Sequence, residues 1–397
     1  MKTAFLCGSL EPGRDGVGDY SRRLAGELIR QGNPSIALAL NDSHTAQTAL
    51  EAQEIEGTSI SVMRLASGTP WNNRIKEARA WLDSFNPDWI SLQFVPFSFH
   101  PKGLCFGLGR RLAGLSKKAS WHIMFHELWL GLGESSPVKD RIWGALQRLI
   151  VLDLERRLRP RMAHTQAEPY RIILNRENIA ASILPLFSNV PYVKEDGWTD
   201  LLEPLVMKAM GSRPNRKNIY LAGVFGGVAP EWKAEVAVNI LFPLVQRCQK
   251  RLVLVFHGKN NFTPEAINKL KLTLQNRADV VMAGERTSVE ISRILQSLDL
   301  GLATTPIQVI QKSGSCAAML EHGLPVLVIR DDWRFRGMDL PAGETSSRLF
   351  SPRQFALLQQ LPTRDLQQSG ANSVKKVAEL MLSSMNSPLT VKVPGLT

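Results

Sequence analysis

Residues 13–32, GRDGVGDYSRRLAGELIRQG, carry a strand into a helix through a glycine-rich turn. The run Thr3 to Cys7 (TAFLC) before it is short and apolar, and Leu24, Ala25, Leu28 and Ile29 after it recur at helical spacing. Gly16 and Gly18 therefore fall at a strand-to-helix turn. The unsatisfied N–H groups at a helix start favour an anion, and the missing Cβ atoms let ligand oxygens approach the backbone. The stretch predicts an α/β fold with Gly16 and Gly18 at a phosphate or sugar site, against the plainer reading of a structural turn.

Outward from this segment the same rhythm continues. Short apolar runs alternate with helical patterns: SIALAL, DWISLQFV and WHIMFH, then NIYLAG, RLVLVFHG, DVVMAG, LGLATT and LPVLVI. Strands covered by helices on both faces read as continuous apolar runs, so two doubly wound parallel sheets in tandem are expected. The break between them is SNVPYVKEDGWTDLLEPLVMKAMGSRPNRK, rich in Pro, Gly and charge. The predicted organisation is a Rossmann-like domain over 1–190, a linker over 191–217, a second Rossmann-like domain over 218–385 and a polar tail over 386–397.

Composition limits the function classes. The chain has 397 residues, 44% of them hydrophobic and 21% charged, which suits two globular domains. Cys7, Cys105, Cys248 and Cys316 lack paired or metal-type spacing, so neither a disulfide framework nor a zinc site is expected. The N-terminal run reaches Gly8 too quickly for a signal peptide and no stretch is long and apolar enough to span a bilayer, so a cytoplasmic location is expected. The net charge of +12 is concentrated: between Phe99 and Arg161, twelve Lys or Arg face five acids. There RIWGALQRLIVLDLERRLRPRM sets Ile142, Trp143, Leu146, Leu149, Ile150, Leu154 and Leu158 among basic residues. This fits a core helix with a solvated face, or a helix resting on an anionic membrane at its inner face. Nucleic acid is disfavoured, because no recognition motif accompanies the charge.

In open α/β sheets ligands bind beyond the carboxyl ends of the strands, so the residues after each strand are the site candidates. Lys312-Ser313-Gly314-Ser315 leads into the helix CAAMLE. Its N–H groups and the Lys312 charge suit a phosphate, with a plain Ser N-cap as the alternative. Lys233 and Arg286 follow other strands of the second domain as further phosphate contacts. In the first domain WHIMFH ends in His126-Glu127, a titratable pair suited to a sugar hydroxyl or to acid–base work.

Together these segments resemble the family 4 glycosyltransferases. DGVGDYSRRLAGEL is similar to that family's N-terminal glycine loop and helix, FHELW to its strand-end histidine, and LAGVFGGVAPEWK and GERTSVEISRILQSLDLGLATTP to its nucleotide-holding segments. HGLPVLVI is similar to its Gly-x-Pro strand. The resemblance implies a GT-B architecture, with two Rossmann-like domains facing a central cleft. It further implies retaining transfer of a sugar from a nucleotide-diphosphate sugar to a glycan, lipid-linked or small-molecule hydroxyl. His126 and Glu127 would be catalytic, and Gly16, Gly18, Lys233, Arg286, Lys312, Ser313, Gly314 and Ser315 would hold the donor. There is no Asp-x-Asp pair, so no metal and no cofactor beyond the donor are expected. Three departures stand out. Asp15 replaces the first glycine of the loop, no arginine precedes Lys233, and Ile310 and Ala318 occupy the positions of the family's paired glutamates. A non-catalytic GT-B binding protein is therefore the alternative, and a basic protein that binds anionic surfaces is a second.

Overall fold

The computed structural model describes residues 1–229, 231–260, 262–331, 333–340, 346–365 and 373–386. The first sheet has eight strands: β1 (Thr3–Cys7), β2 (Ser35–Asp42), β3 (Ala49–Ile55), β4 (Thr58–Ala66), β5 (Trp89–Phe94), β6 (Ser120–Phe125), β7 (Met162–Thr165) and β8 (Ala181–Ile183). Their order is β3-β4-β2-β1-β5-β6-β7-β8. Every pairing is parallel except that of β3 with β4. The second sheet contains β9 (Ile219–Phe225), β10 (Arg251–His257), β11 (Asp279–Gly284), β12 (Leu300–Ala303), β13 (Val326–Val328) and β14 (Leu349–Phe350). It is parallel throughout, in the order β11-β10-β9-β12-β13-β14. Two parallel-sheet domains face each other, as the sequence predicts.

The sequence pattern shows no strand between Asp42 and Trp89, yet β3 and β4 form a hairpin there. Glu56 and Gly57 both take positive φ at its tip, the backbone that a two-residue hairpin turn requires. Strand β3 (ALEAQEI) carries three acidic or amide side chains and lies exposed at the sheet edge, where such charge discourages pairing with another chain.

Two boundaries also differ from expectation. Within the segment predicted as a linker, the helix Glu203–Met210 and the turn before it bury Leu202 and Val206 in the second-domain core beside Ile219 and Val281. Pro, Gly and charge in that stretch mask an apolar face that the second sheet covers. The last described helix, Ser373–Asn386, falls in the span assigned to the second domain, but it crosses back to the first. There Val374, Val377, Ala378 and Met381 join Phe5, Leu24 and Leu28 in one core. The predicted tail beyond Asn386 lies outside the described residues.

A third crossing is made by the loop after β13. Gly133 and Phe335 form an antiparallel bridge, flanked by Glu134 N donating to Arg334 O at 2.9 Å and Arg336 N donating to Leu132 O at 2.8 Å. Phe335 and Leu340 are buried in the first-domain core with Leu128 and Phe125. This strap ties the second domain to the first across the cleft.

Candidate functional site

A cavity of about 320 Å³ lies between the domains. The first domain contributes Asp15, Gly16, His126, Glu127, Gln166 and Asn189, and the second contributes Lys312 and Gly314. Strand β6 delivers His126 and Glu127 from its carboxyl end. Strand β7 does the same for Gln166, while the turn into the helix Gly314–Glu321 delivers Lys312.

His126 is buried, and both of its ring nitrogens are occupied by protein. Nε2 lies 2.8 Å from Gln93 Oε1, and Nδ1 lies 3.0 Å from Gln166 Nε2. Burial, opposed by the Gln166 hydrogen bond and reinforced by the Lys312 charge, pushes its pKa down to about 3. The ring is neutral near pH 7, with its proton on Nε2, where an amide oxygen can accept it. The acid–base work expected of His126 therefore finds no ring nitrogen available in this arrangement. Tyr20 closes over the ring edge-on, with centroids 4.9 Å apart.

Glu127 is half exposed, and its Oε1 lies 3.5 Å from Lys312 Nζ. The same ammonium donates to Tyr170 OH at 3.1 Å. Burial alone would lower the Lys312 pKa, but Tyr170 and Glu127 more than offset it and hold the group above its ordinary value. Lys312 is thus a cation that spans the cleft. Beside it, Gln311 Oε1 accepts from Glu168 N at 3.0 Å.

At the glycine loop, part of the anion-binding capacity that the sequence suggests is taken by the protein itself. The Asp15 carboxylate accepts from Val17 N and Gly18 N, each at 2.8 Å, so two of the open N–H groups of this helix start are already satisfied. Burial raises the Asp15 pKa, and those two hydrogen bonds oppose the rise. Gly18 is required by packing, because a Cβ there would collide with the carbonyl oxygen of Ser9. Gly16 lines the cavity and its carbonyl accepts from Asn189 Nδ2 at 2.8 Å.

The expected donor contacts do not all converge. Gly314 lines the cleft cavity with Lys312, whereas Ser313 caps its helix, accepting from Cys316 N at 3.4 Å, and Ser315 Oγ lies 3.2 Å from Ser313 Oγ. Lys233 lines a separate cavity of about 580 Å³ with Arg330 and Trp333. Arg286 is engaged locally: its Nε donates to Ala283 O at 2.8 Å, and its guanidinium lies 3.4 Å from Glu290. It lines neither cavity.

Sequence reasoning missed Gln93, Gln166, Asn189 and Arg330. A signal for the first existed: Ser91 and Gln93 alternate with Leu92 and Phe94, while His122 and His126 alternate with Ile123 and Phe125, placing polar groups on one sheet face. Gln166 follows a four-residue strand too short to recognise by pattern.

No protein-family model matches this chain, and no curated protein matches it in sequence. Solved structures do resemble it along nearly its whole length. Anabaena Alr3699/HepE in complex with UDP and glucose aligns at 12% identity with a TM-score of 0.56, over 98% of this chain and 100% of that one. The E. coli trehalose-6-phosphate protein bound with UDP-2-fluoro glucose aligns at 10% identity and 0.57, over 98% and 100%. The UDP-GlcNAc 2-epimerase from Neisseria meningitidis bound to UDP-GlcNAc aligns at 11% identity and 0.51, over 96% and 100%. The shared fold is GT-B. At such low identity the likeness extends to the fold and no further.

Proposed function

We propose that this protein is a glycosyltransferase that takes a nucleotide-diphosphate sugar on its second domain and transfers the sugar to a hydroxyl acceptor held by the first. The observation that carries this reading is the interdomain cavity, where Lys312 and the start of the helix Gly314–Glu321 face His126, Glu127 and Gln166. Solved GT-B structures with UDP or UDP-sugars bound support it. Charge developing on the departing diphosphate would be met by the Lys312 ammonium and by the helix-start N–H groups that Ser313 does not cap. An incoming diphosphate would compete with Glu127 for that ammonium. Metal-independent transfer with retention, in the manner of family 4, belongs to the same proposal and rests on the sequence resemblance.

A thermal-shift panel of UDP-, GDP-, ADP- and dTDP-sugars in EDTA tests this reading, because a ligand that binds only the folded state raises the melting temperature. At least one is expected to stabilise the protein, and Lys312→Ala is expected to weaken that ligand about tenfold or more, as loss of a charge-assisted contact would. A flat panel, or unchanged affinity in Lys312→Ala, would remove the reading in favour of a non-catalytic GT-B protein.

We also propose that the first domain rests on an anionic membrane. In the helix Val138–Leu158 only Ile150, Leu154 and Leu158 of the expected apolar face reach the core, together with Gly144, Gln147 and Val151, while Trp143 and Leu146 are half-buried. Val138, Ile142 and Leu149 form a second stripe that is 67%, 57% and 53% exposed, and Lys139, Arg148 and Arg156 accompany it. No helix among the described residues is long and apolar enough to cross a membrane, so the contact is peripheral. Flotation with phosphatidylglycerol vesicles should carry the protein at 0.1 M salt and release it at 0.5 M. The double variant Ile142→Asp, Leu149→Asp should bind about tenfold less. Equal recovery with neutral phosphatidylcholine vesicles would refute the contact.

A further inference from the structure

We infer that Gln166 is the residue that meets the transferred sugar, and that His126 is a neutral positioning residue behind it, fixed by a one-way chain of hydrogen bonds running from β7 through β6 to β5 and back. The inference rests on the glycosyl-transfer reading and gives the sugar its contact.

The chain is continuous and buried. Gln166 Nε2 lies 3.0 Å from His126 Nδ1, His126 Nε2 lies 2.8 Å from Gln93 Oε1, and Gln93 Nε2 donates to Ser91 Oγ at 2.7 Å. Ser91 Oγ then lies 2.8 Å from His122 Nδ1, and His122 Nε2 lies 3.0 Å from His164 Nδ1. An amide nitrogen only donates and an amide oxygen only accepts. Gln166 therefore makes His126 Nδ1 an acceptor, Gln93 requires the His126 proton on Nε2, and Ser91, accepting from Gln93, gives its own proton to His122. Every donor points the same way, so each bond polarises the next. All six side chains lie on one face of the first sheet, since 91 and 93, 122 and 126, and 164 and 166 each differ by an even number and the register pairs Ser91 with His122 and Met124 with His164.

The chain leaves one end open. Gln166 Oε1 has no partner among the described residues, and Gln166 lines both the cleft cavity and an apolar cavity of about 410 Å³ beside it. His126 presents no uncommitted ring nitrogen to the cleft. An acceptor oxygen held rigidly from behind suits a pyranose hydroxyl, which donates to it without any change of protonation in the protein.

Two measurements test this. Long-range ¹H–¹⁵N spectra of histidine-labelled protein should show His122, His126 and His164 neutral with the proton on Nε2, and Gln166→Leu should shift the His126 Nδ1 resonance most, with smaller shifts passed along the chain to His122 and His164. Binding is then measured for the matched pairs UDP and UDP-glucose, GDP and GDP-mannose, and ADP and ADP-glucose. For whichever pair binds the wild type, Gln166→Leu should weaken the sugar nucleotide about tenfold and leave the parent nucleotide unchanged. The more conservative Gln166→Asn should fall between. Equal weakening of both members of a pair, or no change in either, overturns the inference and leaves the transfer reading standing. If the wild type binds no nucleotide, the transfer reading falls and takes the sugar contact with it, and a His126 proton on Nδ1 overturns the positioning chain independently.

Discussion

Lowering the pH from 7.5 to 5 is expected to remove a large part of this protein's stability, well before most of its carboxylates titrate. Of seven histidines, five (His122, His126, His164, His257 and His322) are buried as neutral rings. Burial is the main cause in each case and pushes His126 and His257 down to about 3, His164 and His322 to about 4, and His122 lower than its ordinary value. In the unfolded chain the same groups take up protons near pH 6.5. Between that value and their folded values the unfolded state binds more protons, so stability is complete above pH 6.5 and falls as pH drops. His126, His164, His257 and His322 each lose about 2 kcal/mol by pH 5 on this linkage, and His122 acts in the same direction, so together they remove a large share of the stability of a typical domain. Urea midpoints at pH 7.5, 6 and 5 measure the effect. A flat profile would mean that these rings accept protons while the protein stays folded.

Gly144→Ala is expected to destabilise the first domain by about 3 kcal/mol, at the upper end for an overpacked core. A Cβ at Gly144 would fall on the carbonyl oxygen of Leu130, which is backbone and cannot swing aside. Gln147, one turn further along the same helix, accepts from Leu130 N at 2.9 Å, so the helix and the loop after β6 are docked by both contacts. That loop begins with His126 and Glu127. Loss of ligand binding should accompany loss of stability, read as a lower urea midpoint and weaker thermal shifts at a temperature where the variant is still folded. Gly16→Ala is the control: the nearest atom to its added Cβ is Asn189 Nδ2 at 3.9 Å, so its unfolding free energy should stay within about 0.5 kcal/mol of wild type. Equal effects at the two positions would show that close packing is not the cause.

The two-sheet architecture was legible because buried parallel strands are continuous apolar runs, and nine of them stand clear in the sequence. What composition hid was decided by partners distant in sequence. Strand β3 becomes a strand only by pairing with β4, and the helix Ser373–Asn386 belongs to the first domain because Phe5, Leu24 and Leu28 offer its apolar face a place. At the site, His126 and Lys312 were recognisable from their positions after strands, and the fold brings both to one cavity. At the glycine loop Asp15, a departure from the motif in sequence, is a cap that occupies two of the N–H groups the motif would offer. Gln166 was invisible because its importance comes from what stands behind it.

The strap at Gly133 and Phe335 has a consequence for how often the cleft stands open. Separating the domains along that edge would draw Phe335 and Leu340 out of the first-domain core, at about 2 kcal/mol for each side chain. At equilibrium only about one molecule in a thousand would then be open there at any instant. Ligand exchange would be a rare-event process, its rate set by the release of two side chains rather than by diffusion through a gaping mouth.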